Sequence, residues 1–427
     1  MRRVPDDVLR LIFIEVVKHV HDYFRLDTQM GAWSLSKVCS RWRDVALSTP
    51  LLWSMIAIVR RGERFPTRLD AILSASLTRS GEIPLDIIFS GDDDSALGIQ
   101  ALQMIVLHVS RWESLCVDVT PEVYQCLGAI QCTPSLKRVD LRYSWSGQKF
   151  DFLHHAPKLQ YLRTLTYGGV TQYLQVPWNQ LISLHFEHQV GLDGAYFKFN
   201  DILPRFSHLR HLVIESNARL ANSKVTLPNL ETLSLTWNSV MLGLQYLILP
   251  VLSKLMLDAP FPAPITLSTN GNFKMANAIV DIVTVLENSL CPLTEFTLKL
   301  RGRPNNYILD IHVVCRLLRV VPSLEIFDFF VNMDVYEKMA LFSRLTCRQD
   351  EEILAPQLQS LVVGGCHREE EESDNPFRMG SDADSDASES PESEEMLRKM
   401  IDSRRAHGQV DFSAAYHDDE QLYGFYD

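Results

Sequence analysis

The residues best suited to chemistry in this 427-residue chain are few and scattered. His185 and His188 stand three positions apart, Cys366 and His367 are adjacent, and Asp92, Asp93 and Asp94 run in a row. A zinc site needs three or four donors converging on one point, and a calcium loop needs oxygens at fixed spacing closed by a more distant carboxylate. None of the three groups has that completion nearby, so they read as strand-end and loop residues with no metal. Eight cysteines (39, 116, 126, 132, 291, 315, 347 and 366) lie in apolar segments without a C-x-x-C pair. That is the pattern of reduced, mostly buried thiols. No Gly-x-Ser-x-Gly elbow, Walker loop, His-Glu-x-x-His or dinucleotide fingerprint occurs. The expectation is a chain that is not an enzyme and uses no cofactor. An enzyme would need a site gathered from scattered segments.

Composition narrows the partners. The formal net charge is −12, but residues 369–395 hold twelve Asp or Glu against the single Arg378, so the remainder is close to neutral. A neutral body has no basic footprint for nucleic acid, and no Lys/Arg cluster suits an anionic membrane. No apolar run reaches spanning length, and Arg2-Arg3 leads into Pro5-Asp6-Asp7 rather than a secretory apolar core. A cytoplasmic or nuclear protein is expected, with 46% apolar content to build its core.

The elements that must position any functional side chain begin at the N-terminus. Pro5 suits the start of a helix, and Asp6 and Asp7 suit its positive end. From Val8 the apolar residues Ile12, Val16 and Val20 recur at four-residue spacing beside Leu9, Phe13 and Val17, which predicts one amphipathic helix. After a polar stretch from Lys18 to Gln29, Trp33–Val38 and Trp42–Leu47 predict two further short helices, stopped where Thr49 precedes Pro50. So short a unit has little interior of its own, and part of its apolar surface should meet a partner.

Three blocks in order, Val4-Pro5-x-Asp7 with Val8-Leu9 and Ile12-Phe13, then Val38-Cys39-x-x-Trp42, then Leu52-Trp53, resemble the F-box. The usual Leu and Glu are replaced by Val4 and Asp7, and the insertion between the first two helices is longer, as in expanded fungal F-box families. The resemblance implies docking on the Skp-family adaptor, and through it on the cullin, of an SCF-type cullin-RING ubiquitin ligase. It makes Val4, Pro5, Leu9, Ile12, Phe13, Leu35, Val38 and Cys39 the candidates for adaptor contact and gives Trp42 and Trp53 to the module's own core.

Residues 55–111 read as a linker and N-terminal cap, with an extended Met55–Val59, a helix near Leu69–Leu77 ended by Gly81, a strand Ile83–Phe89 and a helix Ala96–Val109. From Trp112 the unit Leu-x-x-Leu-x-Leu recurs, beginning at Leu136, Leu159, Leu181, Leu209, Leu230, Leu252, Leu293, Leu324 and Leu358. Spacings of 21 to 41 residues bracket those of leucine-rich repeats. Each unit offers one short strand, and stacked units give a parallel sheet. Longer late repeats leave room for helices at Phe273–Leu290 and Leu309–Val320. The acidic residues 369–395 have the composition of disorder, and Ser381, Ser385 and Ser390 sit in phosphorylatable contexts that read more simply as solvated filler. Met396, Leu397, Met400 and Ile401 then predict a capping helix ending in basic Arg404 and Arg405.

The expected fold class is therefore α/β: a three-helix F-box (1–54), the linker and cap (55–111), an irregular leucine-rich-repeat solenoid with a parallel sheet on its concave face (112–368), the acidic loop (369–395), and a capping helix with tail (396–427). The expected function is a substrate receptor whose sheet face holds an unknown protein target. Strand alternation nominates Arg138, Arg142, His185, Glu187, His211 and Glu215 for that contact. The rival expectation is a leucine-rich scaffold uncoupled from ubiquitination.

Overall fold

The computed structural model describes residues 4–18, 31–59, 68–90, 96–143, 151–167, 175–189, 197–215, 218–236, 243–259, 275–300, 311–331, 333, 335–347, 353–365, 391–407, 409 and 412–418. The Asp92–Asp94 run, Cys366-His367, Ser381, Ser385 and Ser390 lie outside the described residues, as does nearly all of the acidic segment. The chain is mixed α/β and forms two compact units, Met1–Ala195 and Tyr196–Asp427.

The first unit opens with α1 (Asp6–Lys18), α2 (Gly31–Val38), α3 (Ser40–Leu47) and a 3-10 turn, Pro50–Trp53. Asp6 and Asp7 occupy the first turn of α1, where the helix dipole favours them. Cys39 is extended (φ −159°) and separates α2 from α3; its Sγ accepts the Trp42 amide at 3.4 Å, capping α3. Thr49 Oγ1 donates to the Val45 carbonyl at 2.6 Å, and Pro50 stops the helix there. Leu9, Phe13, Ala32, Val45, Ala46, Leu52 and Trp53 make the core, with Trp33, Leu35 and Trp42 packed against it. The Phe13 and Trp42 rings lie 4.9 Å apart and those of Trp33 and Trp53 5.1 Å apart.

The six strands that follow are β1 (Met55–Val59), β2 (Leu85–Ser90), β3 (Trp112–Val119), β4 (Arg138–Tyr143), β5 (Tyr161–Tyr167) and β6 (Ser183–Gln189). Each pairs in parallel with the next in sequence. The crossovers carry α4 (Leu69–Arg79), α5 (Ala96–Val106) and α6 (Pro121–Gly128), packed one on the next. One buried row crosses the strands in register: Ile56, Ile87, Leu115, Val139, Leu162 and Leu184. Before it, Leu136 and Leu159 close turns begun by Pro134 and Pro157, their amides reaching the Thr133 and Ala156 carbonyls at 3.3 and 3.2 Å. Proline presets φ for such a turn, and the leucine that ends it goes inward. The next residue joins neighbouring repeats, as Lys137 N–H does to Glu113 O and Gln160 N–H to Lys137 O, both 2.9 Å.

Gly81 takes φ +55° just beyond α4, as expected of a left-handed cap. In residues 55–111, read as a linker and N-terminal cap, the extended Met55–Val59 and the strand near Ile83–Phe89 form as β1 and β2, both paired in the sheet. Helix α5 ends at Val106, and a 3-10 turn, Val109–Arg111, follows it. Helix α6 was not anticipated, although Thr120 caps it by accepting the Val123 amide at 3.4 Å and Pro121 opens its first turn.

The second unit repeats the scheme with β7 (His211–Glu215), β8 (Thr232–Thr236), β9 (Lys254–Ala259), β10 (Glu295–Leu300), β11 (Ile326–Val331), β12 (Ser360–Gly365) and β13 (Ser413–Asp418), again all parallel and in chain order. Its helices are α7 (Met275–Ser289), α8 (Ile311–Val320), α9 (Val335–Leu345) and α10 (Pro391–Ala406). Helices α7 and α8 fall where periodicity placed them. Helix α10 starts at Pro391, so the last acidic residues are helical, with Glu392 and Glu394 in the favourable first turn. Strand β13 follows it, where only a tail was expected. No helix among the described residues is long and apolar enough to cross a membrane.

Candidate interaction surfaces

Helix α1 is apolar on more than one side, and the packing sorts its residues. Leu9 and Phe13 point into the module core, Phe13 fully buried. Both were nominated for adaptor contact; the structure places both in the module core, Leu9 with 6% and Phe13 with 0% of its surface accessible. Trp53 is core as expected, its indole N–H on the Ala46 carbonyl at 2.9 Å, and Trp42 packs against that core. Leu35 is half-buried, while Val4, Pro5, Ile12, Val38 and Cys39 are exposed. Val8, Leu11 and Val16 are exposed beside them and were not nominated; Leu11 is 67% exposed. Arg41 on α3 ties down the N-terminal end of this surface, with Nε 2.9 Å and Nη2 2.6 Å from Asp6 Oδ1 and Nη2 also on the Val4 carbonyl.

The module is joined to the first sheet by aromatic packing. The Arg79 guanidinium, from α4, lies 4.4 Å from the ring centroids of both Trp33 and Trp53, and burial lowers its pKa. A guanidinium so placed gains from the ring quadrupoles and anchors α4 on the module.

The second surface is the sheet face opposite the buried leucines. In the first unit, Arg138, Arg142, His185 and Glu187 all lie there, as alternation predicted, and none is buried. His211 and Glu215 have the matching parity on β7 of the second unit, and both are half-buried. Strand register shows what the nominated set lacked: one cross-strand row reads Cys116, Asp140, Arg163 and His185. Asp140 lies between Arg138 and Arg142 on the same strand, so the rule that found those two also finds it.

Each arginine of this face already has an acidic neighbour. Arg138 reaches Asp86 at 3.1 Å across β3, Arg163 is 3.7 Å from Glu187, and Arg142 is 3.9 Å from Asp140 Oδ2. Exposed pairs of this kind contribute at most about 1 kcal/mol each, so they organise the face more than they stabilise it. A groove of about 270 Å³ opens among Ser114, Cys116, Arg138, Asp140, Tyr161 and His185. Asp140 Oδ1 is buried and meets no hydrogen-bond donor among the described residues. Burial, then the carboxylate of Asp140, pushes the Cys116 thiol up to about 11; Asp118 and the hydrogen bond the thiol gives to Asp140 add to this, and Arg142 opposes it. The thiol is therefore neutral at ordinary pH and no nucleophile.

In the second unit the corresponding face carries Lys254 paired with Glu295 at 2.7 Å, and Lys299 with its Nζ 5.5 Å from the Phe330 ring. Asp328 accepts the Thr297 hydroxyl at 3.3 Å; burial raises its pKa, with that hydrogen bond acting the other way.

No family model matches the chain, and no curated protein matches it. Among solved structures it is similar to a Bacteroides fragilis protein, at 13% identity over 65% of this chain and 71% of that chain, with a TM-score of 0.29. A likeness of that size carries no argument about fold or activity.

Proposed function

We propose that the chain is the substrate-recognition subunit of an SCF-type ubiquitin ligase, in which the helical module acts as an F-box and the strands that follow act as an irregular leucine-rich-repeat solenoid. The module docks the Skp-family adaptor and the open sheet face holds a target protein. The observation that carries this reading is the sorting of the three motif blocks. Leu9, Phe13 and Trp53 fill the core, while Val4, Val8, Ile12 and Val38 remain exposed on a unit too small to need them for folding. Transfer of ubiquitin would be by proximity, since holding a target near a charged enzyme raises its effective concentration.

The test is co-purification of the full chain with a Skp-family adaptor, using Ile12→Glu and Val38→Glu. Both side chains are exposed, so the variants should keep the wild-type melting temperature and lose at least tenfold in adaptor affinity. Failure of the folded wild-type protein to bind the adaptor would leave the scaffold reading in its place.

A further inference from the structure

The groove on the first unit's sheet offers more cations and donors than anions. Arg138, Arg163 and His185 line it, and Asp140 is the one carboxylate among the described residues that do. That carboxylate is already served, by the Arg142 guanidinium 3.9 Å from Oδ2 and by the hydrogen bond from the Cys116 thiol. Strand register lays the donors in two rows, Ser114, Arg138, Tyr161 and Ser183 in one and Arg163 with His185 in the next. Arg138 and Arg163 are diagonal neighbours on adjacent strands, about 7–8 Å apart at the backbone, a gap that long side chains span.

Neither arginine is saturated. Arg163 lies 3.7 Å from Glu187, beyond hydrogen-bond length, and its guanidinium makes no hydrogen bond among the described residues. Arg138 gives one N–H to Asp86 at 3.1 Å, and a guanidinium has five. Asp86 and Glu187 stand outside the lining, so these pairs hold the arginines at the rim and leave the groove itself unfilled. Exposed pairs of this kind exchange easily, whereas a carboxylate between two guanidiniums accepts several charge-assisted hydrogen bonds at once. Counting His185 as neutral, the lining carries two positive charges against one negative, a surplus of one. A single negative charge meets that surplus, and a phosphoryl group of about −1.5 to −2 exceeds it beside Asp140.

We propose that this groove receives the carboxylate of an aspartate or glutamate from an extended peptide segment of the target, held between Arg138 and Arg163, with the Ser114, Tyr161 and Ser183 hydroxyls as further donors. This names the ligand class of the face assigned above to target recognition, and it rests on that reading. A volume of about 270 Å³ admits one side chain rather than a folded surface. A lysine or arginine would meet two guanidiniums there, and an apolar side chain would offer them no acceptor.

The experiment uses the full chain and four fluorescein-labelled, end-capped nonapeptides identical except for a central glutamate, phosphoserine, arginine or norleucine, read by fluorescence anisotropy. The glutamate peptide should bind at least tenfold more tightly than the arginine and norleucine peptides and no less tightly than the phosphoserine peptide. Arg163→Gln and Arg138→Gln should each abolish the preference. Lys137→Gln, which removes the same charge from a side chain outside the groove, should keep it. All three side chains are about half exposed, so the variants should keep the wild-type melting temperature. Equal binding of the peptides, preference for the arginine or the phosphoserine peptide, absence of binding by all four, an unchanged preference in both arginine variants, or an equal loss in Lys137→Gln each overturns the proposal. Adaptor co-purification is measured on the same preparations. Adaptor binding without a carboxylate preference sinks the groove and spares the receptor; a carboxylate preference without adaptor binding does the reverse.

Discussion

Trp53 and Trp112 occupy equivalent places in the first unit. Each lies three residues before a member of the buried cross-strand row, Ile56 or Leu115, and each donates its indole N–H to the carbonyl of the residue seven before it, Ala46 at 2.9 Å and Ile105 at 3.2 Å. Leu136 holds the same place before Val139. The last core residue of the helical module is therefore also the first inward residue of the strand array, and no linker separates the two. Arg79, seated on Trp33 and Trp53, reinforces that junction.

This shared position predicts that Trp53 cannot be removed from one part without loss in the other. Truncation of a buried tryptophan costs about 3–5 kcal/mol. Trp53→Ala should lower the urea midpoint of the first unit and raise amide exchange in both α3 and β1. Trp53→Phe keeps most of the packing and loses the indole hydrogen bond, so it should cost about 1 kcal/mol. Exchange confined to the helices in Trp53→Ala would mean that the module and the array unfold separately.

Arg404 should be the least replaceable residue of the second unit. It is fully buried, and its guanidinium donates to the carbonyls of Leu345 (3.0 Å), Leu354 (2.7 Å) and Ala355 (3.2 Å) and to Gln409 Oε1 (3.0 Å). It holds α10 to the end of α9 and to the turn before β12. Arg404→Met takes a donor from three buried carbonyls, of which Ala355 O keeps the Leu358 amide at 3.1 Å, and should cost about 3 kcal/mol or more. Arg404→Lys should recover little, because an ammonium lacks the planar fork. Chemical denaturation, with amide exchange over residues 391–418, measures both.

Two backbone positions should respond in opposite directions. Gly243 has φ +93°, and a Cβ there would lie 1.8 Å from the Ala221 carbonyl oxygen, so Gly243→Ala should destabilise by about 3 kcal/mol or more. Leu290, just past α7, takes φ +47° with its side chain 84% exposed. A left-handed conformation costs a non-glycine residue about 1–2 kcal/mol, and this leucine has almost no burial to lose. Leu290→Gly should raise the melting temperature despite the added freedom of its unfolded chain. A fall in melting temperature would show that the leucine makes a contact worth more than its strain.

What could be read in advance follows from how local each signal is. The rows from Leu136 to Leu358 were legible because every repeat carries its own turn proline or leucine and its own alternation. All nine first leucines are buried, and a strand follows each. The first two strands were read as extended segments but not as repeats, because the place of the first leucine is taken by Trp53, read as the end of the module, and then by Pro84, just before the register shifts between Leu85 and Asp86. Arg404 was read only as a basic end of the capping helix, and its burial was out of reach, since the three carbonyls that hold it lie 49 to 59 residues away in sequence. Asp140 was within reach of the alternation rule, but its place opposite Cys116 becomes visible only when the strands are laid side by side.

Cys116 offers a way to check that register in solution. Its ordinary value of 9.0 is raised to about 11 by burial first, then by Asp140. A thiol that is harder to ionise when folded binds more protons in the native state than in the unfolded one above pH 9. Its contribution to stability is therefore whole below about pH 9 and is lost as pH rises toward 11. Wild-type protein should lose more of its urea midpoint between pH 8.5 and 10.5 than Cys116→Ser, which cannot ionise there. At pH 8, iodoacetamide should label exposed Cys132 long before Cys116, as read by peptide mass spectrometry. Asp140→Asn removes the larger of the two carboxylate effects and should speed Cys116 labelling without changing that of Cys132. Equal rates for the two cysteines in the wild type would mean that β3 and β4 do not pair with Cys116 opposite Asp140.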